Sequence, residues 1–165
     1  MKLPLEIPEF MLGKHYRQLP ATSCWRFVLM RDVQIKVKGL SKHSIGLYDK
    51  NGRCWATATP NCITLHKGYA WNGCSPKLCG LGRFWGTPDF VATRLASCAH
   101  DVMFQFAHVD HFDCNAYEAN AIFGEIIRLG GSPVWARIYK GVVDRAVPLF
   151  YPKKATDVYS VIIIK

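Results

Sequence analysis

His100 and Asp101 are the two neighbouring residues best equipped for chemistry. Both fall inside the run from Phe90 to Phe106, where Leu95, Cys98, Ala99, Val102 and Phe106 recur at helical spacing, so both are expected in mid-helix. A carboxylate withdrawn from water is costly unless it is paired or bound to a cation. Imidazole changes charge near neutral pH and serves as base or metal ligand. The pair therefore suits either a His-dependent hydrolase, with His100 as base and Asp101 orienting it, or a divalent metal ion. The alternative is structural: a solvent-facing Asp101 beside a core His100 bonded to backbone. Adjacent helical residues point roughly 100° apart, so the pair needs partners from elsewhere. By sequence, Asn72, Ser75 and Asp89 are the nearest polar candidates, with Asp89 the expected third metal ligand and Trp71 beside them as a binding residue.

His108, Asp110, His111 and Asp113 form a second cluster, whose spacing could suit zinc or a similar ion, although surface turns are commonly polar and an ordinary polar turn is the expected reading. Seven cysteines are many for this length, but the odd count and an opening that does not read as a secretory signal argue against a secreted disulfide framework, and there is no CxxC. Cys74 and Cys79 are the closest pair and have no matching second pair. Small buried thiols are expected.

The elements that must position these residues change character along the chain. A single domain over 1–165 is expected, with an extended arm at 1–21, a β meander at 22–67, a glycine and aromatic loop at 68–86, helices at 87–150 and a tail strand at 151–165. Val33, Ile35 and Val37 alternate with Gln34, Lys36 and Lys38, the period of a half-buried strand. Asn51-Gly52 is a strong hairpin signal between Ser44–Tyr48 and Cys54–Thr59, and Cys62–His66 follows Pro60-Asn61. Thr87-Pro88-Asp89 begins the first helix, Asn115 to Leu129 makes the second before Gly130-Gly131, and Ser132-Pro133 begins a third that should stop at Pro148. Tyr159 to Ile164 is a β-branched run, either an added strand or a tail. Strands first and helices afterwards give an α+β fold, an antiparallel meander followed by a three-helix C-terminal part packed on it.

Four motifs in order carry a resemblance. Gly68-Tyr69-Ala70-Trp71-Asn72-Gly73-Cys74-Ser75-Pro76-Lys77, Gly86-Thr87-Pro88-Asp89, Ala99-His100-Asp101 and Ala119-Asn120-Ala121-Ile122-Phe123 resemble a phage and prophage family known as domain of unknown function 1353. The likeness runs roughly from Leu29 to Leu149 and implies a phage-type origin and a small α+β domain, with no settled activity. It adds Asn120 to the binding candidates. In that family the positions of Asn72 and Asn120 are often aspartate. Asparagine can hydrogen-bond but cannot act as a general base, so a metal hydrolase is weakened more than a binding protein. Cys98-Ala99-His100-Asp101, with Cys79-Gly80 and Gly86-Thr87-Pro88, is also similar to secreted phospholipase A2, in which a His–Asp pair works beside calcium. The cysteine framework and loop spacing of that enzyme are missing here.

The chain is basic, with a formal net charge of +9, but residues 1–83 hold the whole excess, thirteen Lys/Arg against four Asp/Glu. Residues 84–165 carry eight of each. No recognised motif accompanies the basic half, so nucleic acid is the third choice of partner. No run reaches the roughly eighteen apolar residues of a membrane span, and Met1 to Phe10, with two prolines and two glutamates, does not read as a secretory signal. A non-catalytic virion-associated or host-interaction protein is the leading expectation, located in the virion or host cytoplasm, with other phage proteins or a host factor as partners. A His/Asp-dependent, metal-assisted hydrolase of host envelope material is the alternative.

Overall fold

Alternation of buried and exposed side chains explains the first half of the fold. The computed structural model describes residues 15–20, 22–73, 91–107, 109–150 and 159–164. Among the described residues seven short strands come first: β1 (Tyr16–Gln18), β2 (Phe27–Leu29), β3 (Val33–Lys36), β4 (Ile45–Asp49), β5 (Cys54–Ala58), β6 (Cys62–Leu65) and β7 (Ala70–Trp71). Three helices follow, α1 (Val91–Phe106), α2 (Ala116–Leu129) and α3 (Pro133–Phe150), and then β8 (Tyr159–Ile163). The fold is α+β.

All described pairings are antiparallel. One sheet has the order β1-β2-β7 and the other β3-β6-β5-β4-β8. The meander proper is β4-β5-β6; β3 joins it beside β6, and β8 adds to the far edge of β4. Asp49 to Gly52 makes the tight turn between β4 and β5, with Gly52 at φ 75° and its N–H donating to the Asp49 carbonyl. A residue with a Cβ is strained in that left-handed region, which is why the Asn-Gly pair turns the chain there.

Strict alternation sends Val33, Ile35, Ala56, Ala58, Ile63 and Leu65 to one face, each at most 2 % exposed. Gln34, Lys36, Thr57, Cys62 and Thr64 occupy the other face, exposed or half-buried. Burying each large aliphatic side chain is worth about 1.5–3 kcal/mol, and a one-residue slip would invert the pattern.

On the helical side Leu95, Cys98, Ala99, Val102 and Phe106 of α1 are fully buried, as the spacing predicts, and Met103 is buried with them. The N-terminus of α2 is closed by a reciprocal capping box: Asn115 Oδ1 accepts from the Glu118 N–H, and Glu118 accepts from the Asn115 N–H. At Gly124 a Cβ would stand 3.3 Å from Cβ of Lys140 and 3.5 Å from the Ala136 carbonyl, so α2 and α3 approach closely there. Pro148 does not end α3, which continues to Phe150. It falls in the last turn, where a missing N–H forfeits a single bond.

Of the expected arm at 1–21, residues 16–18 form β1; residues 1–14 and Ala21 lie outside the described residues. Of the 68–86 loop, Ala70–Trp71 is a strand, and the remainder from Cys74 onward, with the expected helix entry at Thr87-Pro88-Asp89, lies outside them as well. Among the described residues no helix is long and apolar enough to cross a membrane.

Candidate functional site

The three helices bring His100 and Asn120 together at their shared interface. His100 Nε2 lies 2.7 Å from Asn120 Oδ1, and Asn120 Nδ2 donates to Asp144 Oδ1 at 2.8 Å. Asp144 also accepts from Lys140 Nζ one turn earlier on α3. These bonds settle the proton positions. Asp144 only accepts, so the Asn120 amide must turn its NH2 toward α3 and its oxygen toward α1. His100 must then carry its proton on Nε2. The other ring nitrogen, Nδ1, faces Asp101 Oδ1 at 3.4 Å. Neighbouring helical side chains thus meet despite their divergence, and one proton serves the contact. Burial pushes the Asp101 carboxyl above its ordinary range, with the His100 contact opposing that shift.

The polar chain runs Asp101–His100–Asn120–Asp144–Lys140 and ties α1 to α2 to α3. Asn120 is fully buried, and the His100 side chain is 15 % exposed. Phe104 and Phe123 flank the imidazole, with ring centroids 5.4 and 5.2 Å away. Every nitrogen of His100 therefore has a partner within the protein.

Among the other expected residues, Trp71 is a core residue and does not line an open site. It is fully buried, and its indole N–H donates to the Arg94 carbonyl and the Ser97 hydroxyl. Its ring packs on Phe27 and Tyr16 and so belongs to the core under the three-stranded sheet. Asn72 follows it on the exposed side and makes no bond to His100 or Asp101. Ser75 and Asp89 lie outside the described residues, as do Cys74, Cys79 and His108.

Asp110, His111 and Asp113 are exposed. Among the described residues no three His, Cys, Asp or Glu side chains converge as metal ligands. The described cysteines are free thiols. Burial pushes Cys98 up and Cys114 up to about 12, so neither offers a thiolate at neutral pH.

Two features escaped the sequence reading. The first is a cleft of about 250 Å³ at the β4–β5 turn, walled by Trp25, Trp55 and Tyr69 and rimmed by Lys50, Asn51 and Gln105. Trp25 is 48 % exposed. The Trp55 ring is fixed by its N–H to Asp49 Oδ2 at 3.0 Å, by Tyr69 edge-on at 5.6 Å, and by the Arg53 guanidinium 4.0 Å above it. Asp49 is tied up, also accepting from the N–H groups of Arg53 and Asn51, and these bonds hold its carboxyl below the usual range.

The second is on the outer face of the five-stranded sheet, where His66 lies between two oxygens. Its Nδ1 is 2.9 Å from Asp32 Oδ2, and its Nε2 is 2.8 Å from Thr57 Oγ1.

Comparisons with protein families, curated proteins and solved structures found no match to the chain. Its class is therefore defined by its own architecture, an α+β protein with a closed helical His–Asn–Asp chain and an open sheet face.

Proposed function

We propose that the protein works by binding: a phage-type protein, carried on the virion or directed at a host factor, whose aromatic cleft takes a polyhydroxylated ligand such as an envelope saccharide. The observation that carries this reading is the cleft. Trp25 leaves half its surface in water beside a second indole held rigid by three neighbours, and exposed aromatic patches of this kind mark contact surfaces. Rigid rings supply apolar area at small entropic cost, while the rim amides of Asn51 and Gln105 and the Lys50 ammonium supply orientation. A sugar ring offers the matching surface, C–H faces for the rings and hydroxyls for the rim. The tied-up Asp49 leaves no free carboxylate to favour a cation there.

The His100 chain supports the same view from the opposite side. Both ring nitrogens have intramolecular partners, and the one on Nε2 is an amide, which cannot accept a proton in a base's place. His100 then acts through Asn120 as a fastener between helices, with Asp101 against its other ring nitrogen, rather than as a base or metal ligand.

The test is a tryptophan-fluorescence titration with bacterial envelope polysaccharides, on the wild type and Trp25→Ala. A saturable change that weakens at least about tenfold in the variant is expected, equivalent to about 1.4 kcal/mol. No saturable response, or the same affinity in both proteins, overturns the reading.

A further inference from the structure

We propose that Thr57 is a nucleophile, activated by His66 and Asp32, that accepts acyl groups from esters presented on the outer face of the five-stranded sheet. This inference goes beyond the binding reading and needs none of the residues that wall the cleft.

The geometry follows from the ladder. β5 and β6 pair so that Thr57 faces Thr64 and Ala56 faces Leu65, and the next backbone bond, His66 N–H to the Trp55 carbonyl at 2.9 Å, carries the same register one residue further. His66 and Thr57 therefore share the solvent face on adjacent strands, and the imidazole reaches the hydroxyl diagonally at 2.8 Å. Asp32, just before β3, is held by the Lys67 N–H on Oδ1 at 2.8 Å and offers Oδ2 to His66 Nδ1 at 2.9 Å. An ionised carboxylate only accepts, so His66 carries a proton on Nδ1, and its neutral form turns the Nε2 lone pair toward Thr57 Oγ1. Hydroxyl to imidazole to carboxylate is the order that nucleophilic catalysis requires. The side chains of His66 and Asp32 remain 28 % and 55 % exposed, and Thr57 is half-buried, so a substrate can approach.

A donor for the developing charge also stands nearby. Directly across the ladder from Thr57 is Gly46. The register shifts between Leu47 and Tyr48, and the Tyr48 ring lies over that glycine, its hydroxyl 3.0 Å from where a Cβ would be. Facing positions on paired strands are about 5 Å apart at Cβ, so the phenol, whose hydroxyl also meets the Cys54 thiol, stands over the position that faces Thr57. Bulges commonly re-aim a side chain in this way. The strand N–H groups near Thr57 belong to a sheet paired on both sides, so one phenol replaces the usual pair of backbone donors. That limits the chemistry to esters rather than amides and keeps it slow.

The step balances without a cofactor. Thr57 Oγ1 bonds to the ester carbonyl carbon as its proton passes to His66 Nε2, and Tyr48 O–H donates to the oxyanion. The carbon–alkoxy bond breaks, the alcohol leaves with the proton from His66, and Thr57 is left acylated. Water then repeats the sequence, giving the free acid and restoring the hydroxyl.

The experiment uses the full chain and p-nitrophenyl acetate, with p-nitrophenolate release followed optically and acetylation sites mapped by peptide mass spectrometry. A burst approaching one equivalent, with acetyl on Thr57, is expected for the wild type and for Thr57→Ser. Thr57→Val should lose the burst. His66→Gln should slow it on the order of 100-fold, and Tyr48→Phe about tenfold or more. Circular dichroism confirms folding, and Asp32→Asn, which preserves shape, gives a second and slower readout. Acetyl found only on lysines or cysteines, or on Thr57 at a rate that His66→Gln leaves unchanged, overturns the proposal. Saccharide affinity of the Trp25→Ala protein is a separate measurement, so either idea can fail alone.

Discussion

Among the described residues two His–Asp contacts are built on opposite principles. In the helices, His100 sits between two phenyl rings, and its proton-bearing nitrogen is spent on an amide that is itself anchored to Asp144. On the sheet, His66 has one nitrogen oriented by a carboxylate and the other turned to a hydroxyl at the surface. Adjacent sequence made the first pair conspicuous, and packing closed it. The second pair is separated by most of the sheet hairpins, and folding left it open. Proximity in sequence measures the chance of contact between two groups. Whether a lone pair remains for a substrate depends on the third and fourth partners.

The contrast is broken most forcefully at Asn120. Replacing it with Ala leaves His100 Nε2 and Asp144 short of a partner and opens space among three helices, with an expected loss of about 3 kcal/mol in chemical denaturation. A loss under about 1 kcal/mol would mean that the helical chain does not fasten α1 to α3.

The two aspartates should also give opposite slopes of stability against pH. The Lys67 N–H, and then His66, lower the Asp32 carboxyl. Its contribution is therefore present above the unfolded value of about 3.9 and lost as pH falls through the lower folded value. Asp101 is raised by burial, so the folded protein holds that proton longer than the unfolded chain. Its contribution is complete below about 3.9 and erodes as pH rises through the folded value. Urea midpoints of Asp32→Asn and Asp101→Asn between about pH 2.5 and 7 should deviate from the wild type in opposite directions. Deviations of the same sign would show that the clusters do not differ as described.

Smaller effects sharpen the functional side of the difference. Thr57→Val and His66→Gln sit on a partly solvated face and should each change stability by less than about 1 kcal/mol, which leaves acylation as their readout. Lys140→Met, which removes an ion pair one turn apart with the ammonium in water, should cost about 0.5 kcal/mol at most, measured by the same titration.

Much of this architecture is legible in the sequence. The alternation in β3 and the apolar stripe of α1 each bury the expected side chains, and Asn115 caps α2. Those are local signals with a fixed period. The helix past Pro148 was missed because a proline in the last turn costs little. Trp71 was misjudged because glycine-rich surroundings suggested a loop, while a two-residue strand against β2 carries it into the core. Half of the Thr57 cluster was within reach: a two-residue turn at Pro60-Asn61 fixes Thr59 against Cys62 and hence Thr57 near His66. Asp32 was not, since its approach depends on β3 choosing β6 as neighbour, a long-range decision that no local period encodes.

The pairing of β8 with β4 has a consequence for the order of assembly. Ile45 meets Ile163 across a ladder whose closure encloses every helix. The β4-β5-β6 hairpins can zip locally, but the free edge of β4 must wait while α1, α2 and α3 find their places. Late, non-local strand docking is slow, because the entropy of closing the loop is lost before the contacts form. In that interval β4 presents an unpaired backbone edge, the kind of surface through which partly folded chains associate. Refolding yield should therefore depend on concentration at the last step, governed by a strand that carries neither histidine.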